Sequence, residues 1–218
     1  TIVGILRGGP SSEYSLSLKT GAAMQSALPE ERYDTRDIFI DKRGVWHSRG
    51  IPTDPSRALS QTDVVLNGLH GGIGEDGTVH RILDSTGIAY AGSRAREASL
   101  SLNKIRAREI LQKAGVRMPQ GTSFTLGNLL NTAEMAQMVF SQFGPPYIVK
   151  PGSEGAGYGI RLALTFIELS DVIADVLDEF GSAVVEEYLK GEQVSAGIIE
   201  DFRGEELYAL PPTHVVLP

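Results

Sequence analysis

Five residues at the start of the chain, Ile2-Val-Gly-Ile-Leu6, run into Gly8-Gly9-Pro10-Ser11-Ser12 and then into apolar residues at helical spacing over 16–28. A short apolar run, a glycine-rich loop and a 3.6-residue period read as strand, tight turn and helix. The order then recurs. Strands are predicted at 37–40 and 64–69, a turn at Asp41-Lys-Arg-Gly44, and a short helix with its apolar stripe at 79–83, closed by Gly87. Strands alternating with helices select a parallel sheet covered by helices. From 95 to 114 nearly every residue favours helix, and Gly115 followed by Pro119 ends it, so a domain boundary is expected within 89–99.

The pattern changes in the second half. A strand at 122–126, a helix at 129–143 and a Gly144-Pro145-Pro146 stop lead to strands at 147–150 and 160–164, joined by a loop with glycines at 152, 155, 157 and 159. A helix at 167–180 follows, then β-rich segments at 183–188, 194–199 and 207–210 with hairpin-length connections, Arg203-Gly204 among them. The expected fold class is therefore α/β: an N-terminal parallel, Rossmann-like α/β domain over 1–93, then an α+β domain with an antiparallel sheet over 94–218. There is no repeat and no low-complexity segment.

Composition narrows the chemistry. Of 218 residues 41% are hydrophobic and 22% charged, a globular balance, and 20 Lys plus Arg against 27 Asp plus Glu give a net charge of −7 without long blocks of one sign. Generalised nucleic-acid binding is not expected. The absence of cysteine removes disulfides, iron–sulfur clusters and thiol catalysis. His47, His70, His80 and His214 show no zinc-binding spacing, which leaves any metal to carboxylates and phosphate oxygens and favours Mg over Zn. No segment approaches 18 continuous apolar residues, so no membrane partner and a cytoplasmic location are expected.

Two glycine-rich loops stand out. Gly72-Ile-Gly74-Glu-Asp-Gly77 fits G-x-G-x-x-G after a strand, but Glu75 and Asp76 put negative charge where a pyrophosphate needs bare amides. The bland reading is a strand-to-helix loop with Asp76 near the helix start. A third reading has His70 and the acidic pair orienting a polar small molecule at the carboxyl end of a strand. The second loop, Lys150-Pro-Gly-Ser-Glu-Gly-Ala-Gly-Tyr-Gly159, sets a cation at a strand end beside many exposed N–H groups, which suits a triphosphate. No P-loop sequence is present. Glu186-Glu187-Tyr188-Leu189 alternates polar and apolar side chains that could grip a purine. Glu13 is ordinarily a helix-dipole carboxylate, or else a carboxylate for a substrate ammonium. Lys104 and Arg106 are solvated charges unless their helix faces Lys150.

In chain order these pieces resemble the D-alanine–D-alanine ligase family of the ATP-grasp superfamily. The resemblance is carried by Gly8-Gly9-Pro-Ser-Ser-Glu13 with Ser17-Leu18, Leu69-His70-Gly71 to Gly74-Glu75-Asp76-Gly77-Thr78, Tyr90-Ala-Gly92-Ser93, Asn103-Lys104, Ile148-Val-Lys150-Pro151, Glu154-Gly155, Gly159, and Val185-Glu186 to Gly191. It implies ATP-dependent joining of two D-alanines through an acyl phosphate for peptidoglycan synthesis, by a homodimer. Glu13 would anchor the first D-alanine's ammonium, and His70 would lie near its reacting carboxyl. Lys104 and Lys150 would bind ATP phosphates under a loop containing Glu154, Gly155, Ala156 and Gly157. Glu186, Glu187 and Leu189 would line the adenine pocket, with Gln193 at the ribose.

Three departures accompany the resemblance. Ala156-Gly157-Tyr158 stands where the family has Ser-Ser-Val, which removes a hydroxyl that contacts Glu13 in relatives, and Gln193 replaces a carboxylate. The Mg ligands are expected beyond residue 218, so the 218 residues on their own are expected to be inactive. The alternatives are a ligase of the same superfamily acting on other amino or hydroxy acids, and a non-catalytic nucleotide-binding protein.

Overall fold

A computed structural model describes residues 1–216. The chain divides into two compact units, Thr1–Glu187 and Tyr188–Pro218. The first unit begins with β1 (Ile2–Gly8), α1 (Tyr14–Ala27), β2 (Asp34–Ile40), β3 (Trp46–Ser48), β4 (Ile51–Thr53), α2 (Pro55–Leu59), β5 (Val64–Asn67), α3 (Thr78–Thr86) and β6 (Ala89–Tyr90). These strands form one sheet in the order β4-β3-β2-β1-β5-β6. Leu6, Ile38, Ile40, Leu59, Val65, Val79 and Leu83 fill the core between sheet and helices.

The sheet is mixed where an all-parallel one was expected. β1 pairs parallel with β2 and β5, and β5 with β6, but β2-β3-β4 is an antiparallel meander. The Asp41–Gly44 turn, closed by a Gly44 N–H to Asp41 C=O bond of 2.9 Å, explains this, since a turn of that length cannot make a parallel crossover. β3 and β4, with three residues each, are too short to register as sequence periods.

The expected helix over 95–114 is two helices, α4 (Ala95–Leu102) and α5 (Lys104–Lys113). Asn103 breaks it: its backbone is extended, and its side chain caps α5 by accepting from the Arg106 N–H at 3.0 Å. The unit continues with β7 (Gly121–Thr125), α6 (Thr132–Phe140), β8 (Tyr147–Pro151), β9 (Arg161–Ala163), α7 (Phe166–Phe180) and β10 (Ser182–Glu187). The four strands make a wholly antiparallel sheet, β7-β10-β8-β9. It buries Phe124, Tyr147, Val149 and Val185 against Val139, Leu169, Ile173 and Val176 of α6 and α7. α6 starts nearer residue 132 than 129 because Asn131 and Glu134 form a reciprocal capping box.

In the second unit β11 (Gln193–Ser195) pairs with β14 (Thr213–Val215), and β12 (Ile198–Phe202) with β13 (Glu205–Ala209). The single strand expected at 194–199 is interrupted at Ala196-Gly197. The Arg203-Gly204 turn is a two-residue hairpin with positive φ at both positions, 54° and 81°. Leu217 and Pro218, the end of the expected second domain, lie outside the described residues.

Candidate active site

The carboxyl ends of β1 and β5 meet the start of α1 through one buried hydroxyl. Ser17 Oγ accepts from the Gly8 N–H at 2.8 Å and donates to the Gly68 C=O at 2.8 Å. Gly8, at φ 93°, passes so close to β2 that a Cβ there would lie 2.1 Å from the Ile40 oxygen. This junction sets the positions of Glu13 and His70. The Ser11 hydroxyl donates to the His70 C=O at 2.6 Å. The His70 ring then has Thr20 Oγ1 at 2.8 Å from Nε2 and Glu75 Oε1 at 4.0 Å from Nδ1.

Glu13 occupies the N-cap position of α1 but makes no capping bond. Its carboxylate lies instead against both glycine-rich loops. A Cβ on Gly71 would sit 2.7 Å from Glu13 Oε2, and one on Gly155 would sit 3.3 Å from Glu13 Oε2 and 3.1 Å from Glu75 Oε2. Burial, then the neighbouring Glu75 charge, push the Glu13 carboxyl above the ordinary glutamate value. Among the described residues no side chain pairs with it. A carboxylate that is desolvated, repelled and unpaired is a site for a cation. Asp76 behaves as the bland reading expected, accepting from the Thr78 N–H at 2.7 Å at the start of α3.

The cationic side is built by α5 and β8. The Lys104 N–H donates to the Gly152 C=O at 2.7 Å, and its ammonium donates to the Glu154 C=O. Burial, and next the Lys150 charge, hold the Lys104 ammonium below the usual lysine value. Two ammoniums close enough to repel make a receptor for an anion. Between them the loop turns on Gly155–Tyr158, with Ala156 and Gly157 at φ 46° and 77°, the type I′ signature, and a Tyr158 N–H to Gly155 C=O bond of 2.9 Å. Tyr158 then packs edge-on against Phe180 at 5.8 Å.

Lys104, Glu154, Gly155, Ala156 and Gly157 line one cavity of about 500 Å³ together with Glu75 and His80. Glu13 and His70 adjoin it through Gly155 and Glu75. Lys150 reaches Glu186, which is buried, at 2.5 Å. The Glu187 carboxylate accepts from the Gln120 N–H at 2.8 Å. Leu189 and Gln193 belong to the second unit, where they line a separate cavity of about 810 Å³ with His214 and Val215. Arg106 takes its solvated role, paired with Glu109 at 3.1 Å. The buried cation of that helix is Arg108, whose signal was its i, i+4 spacing from Lys104, the same helix face.

The mixed α/β N-terminal sheet, the antiparallel second sheet and the lysine-flanked glycine loop have the fold of solved ATP-grasp ligases. The family model described as D-ala D-ala ligase C-terminus matches residues 110–217. A D-alanine–D-alanine ligase of Geotalea uraniireducens is 32% identical over 201 residues, which cover 91% of this chain and 59% of that protein. The solved D-alanyl-alanine synthetase A of Vibrio cholerae superposes with a TM-score of 0.87 at 21% identity, over all of this chain and 68% of that one. A Bacillus anthracis D-alanine–D-alanine ligase, solved in complex with ATP, superposes with a TM-score of 0.72 at 26% identity, over all of this chain and 71% of that one. These similarities run the length of the described chain and support a fragment of a D-alanine–D-alanine ligase. The chain spans less than two thirds of the length of the curated relatives it matches.

Proposed function

We propose that the protein takes part in the ATP-dependent joining of two D-alanines to D-alanyl-D-alanine for peptidoglycan synthesis. The observation that supports this most is a cavity lined by Lys104 and the 154–157 loop, with the unpaired Glu13 carboxylate lying against that loop at Gly155 and the Lys150 charge close enough to add to burial in lowering the Lys104 ammonium. Such a site holds a zwitterion by its ammonium at one end and a polyphosphate at the other.

ATP supplies the phosphoryl group that activates the first D-alanine's carboxylate. Glu13 holds that substrate's ammonium, and His70, oriented by Thr20, lies beside the carboxyl end. Lys104, Lys150 and the amides of the 155–157 loop neutralise and orient the phosphates, since phosphoryl transfer needs positioning and charge stabilisation more than a covalent nucleophile. A carboxylate oxygen forms a bond to the γ-phosphorus as the bond to the leaving ADP breaks. The second D-alanine's amine then bonds to the acyl carbon as phosphate leaves, and the amine's proton passes to solvent. Leu189 and Gln193 remain the proposed partners of adenine and ribose. Residues 1–93 form the proposed domain for the first substrate, and the homodimer expected of the family belongs to the same reading.

Mg is not matched by the described residues, which contain no group of three or more His, Asp or Glu side chains placed to hold a metal ion. Calorimetry with ATP and with D-alanine, alongside mass-spectrometric detection of dipeptide from the whole gene product, tests the proposal. D-Alanyl-D-alanine formed in preference to products from D-serine or D-lactate is expected. Preference for either of the others would assign a different second substrate.

A further inference from the structure

Arg108 is a charged side chain that the proposed chemistry leaves unexplained. It lies on α5 one turn beyond Lys104 and is only 7% exposed, as is Glu186 on β10. Its Nη1 donates to Glu186 Oε1 at 2.6 Å, and its Nη2 donates to the Pro119 C=O. The other oxygen of Glu186 takes the Lys150 ammonium at 2.5 Å. Gly121 makes room for this arrangement: a Cβ there would lie 2.9 Å from Glu186 Cγ and 3.3 Å from Arg108 Cζ. Both carboxylate oxygens of Glu186 are thus already committed to cations.

We infer that Arg108, through Glu186, is a positioning residue for the Lys150 ammonium at the phosphate end of the site. The charge count supports it. Lys150 with Glu186 alone would be a neutral pair with little pull on a phosphate. Arg108 supplies the third charge, and the triad carries one net positive charge next to Lys104. Arg108, itself anchored on the Pro119 C=O, holds one oxygen of Glu186, so the Lys150 ammonium on the other oxygen is kept at one point instead of sweeping through its rotamers. This inference rests on the reading of Lys104 and Lys150 as phosphate ligands.

Isothermal titration of the purified protein with ATP and, separately, with inorganic tripolyphosphate at the same Mg concentration tests it, because tripolyphosphate has no adenine. Arg108→Gln should weaken both ligands by the same factor, about five- to tenfold, and Arg108→Lys should recover most of the loss. An Arg108→Gln variant that folds and binds both as the wild type does would make the pair merely structural and overturn the inference. Loss of ATP affinity with tripolyphosphate unchanged would assign Glu186 to the adenine and overturn it equally. Wild-type protein that binds neither ligand would overturn the phosphate reading itself. Should Arg108→Gln fail to fold, the wild type decides by NMR of lysine side-chain ammoniums, assigned with Lys150→Met. Without nucleotide the Lys150 ammonium must exchange its protons slowly, and exchange as fast as that of exposed lysines contradicts a fixed position.

Discussion

The two glycine-rich loops of the first unit share a chemistry of turns and differ in charge. The loop after β5 brings Glu75 beside His70 and closes on Glu13 through Gly71, whereas the loop after β8 is flanked by Lys150 and Lys104 and backed by Arg108. In both, glycine lets the backbone approach partners that a Cβ would strike: the Gly71 position lies against Glu13, and the Gly152 position against the Ser182 hydroxyl at 2.3 Å. Glycine spacing therefore says that something binds closely. The sign of the neighbouring side chains says which end of a ligand it is. This also accounts for the failure of G-x-G-x-x-G at 72–77 as a dinucleotide fingerprint, since the acidic loop lacks the electrostatics of a pyrophosphate site.

The largest effect is expected at Lys150. Lys150→Ala should weaken ATP binding by about ten- to a hundredfold, the worth of a charge-assisted contact of roughly 1.5–3 kcal/mol. The fold should survive, because Arg108 still pairs with Glu186. Unchanged ATP affinity by calorimetry would remove the cationic loop from the phosphate site.

On the acidic side, Glu13→Gln should raise the D-alanine requirement about tenfold, read from steady-state kinetics, and leave ATP binding unchanged. The same variant should be slightly more stable at neutral pH. Because the folded-state carboxyl is shifted upward, its ionisation costs stability as pH rises through that value. A gain of up to about 2 °C in Tm is expected, where a helix-dipole role predicts a loss.

The Lys104 ammonium gives the cationic loop a pH dependence. Its downward shift means that its charge is lost below the ordinary lysine value of 10.5. Tripolyphosphate affinity should therefore begin to fall at a lower alkaline pH in the wild type than in Lys104→Arg, whose charge persists. Identical profiles would remove Lys104 from the anion site.

A smaller effect is expected at His80, which lines the same cavity, is buried, and leaves Nδ1 without a partner. Burial lowers its protonation below the usual histidine value, so its neutral form contributes stability above about pH 6.5 that is lost as pH falls. His80→Phe should reduce the drop in Tm between pH 7.5 and 5.5 by about 2 °C, corresponding to under ~1 kcal/mol.

Much of this was legible locally. Ile2-Val-Gly-Ile-Leu6, the glycine loops and the Gly87 helix stop carry their meaning in a few adjacent residues, and so Glu13, His70, Lys104 and Lys150 could be singled out. What was not legible depended on distant partners. Arg108 reads as one more surface charge on α5, and only its pairing with Glu186, 78 residues away, makes it buried. The break at Asn103 was hidden by helix-favouring neighbours on both sides, although an N-cap residue before Lys104 was its signal. β3 and β4 owe their existence to pairing along β2, not to a period of their own. The contact of Glu187 with Gln120 could not be read without the β7–β10 register.

The central claim is that opposite charges at the two loops hold opposite ends of the reacting pair. The most direct test is a crossed titration: ATP and D-alanine, each by calorimetry, against wild type, Lys150→Ala and Glu13→Gln. The account predicts a double dissociation, with Lys150→Ala losing ATP and keeping D-alanine and Glu13→Gln losing D-alanine and keeping ATP. Equal loss of both ligands in both variants, with the fold intact, would contradict it.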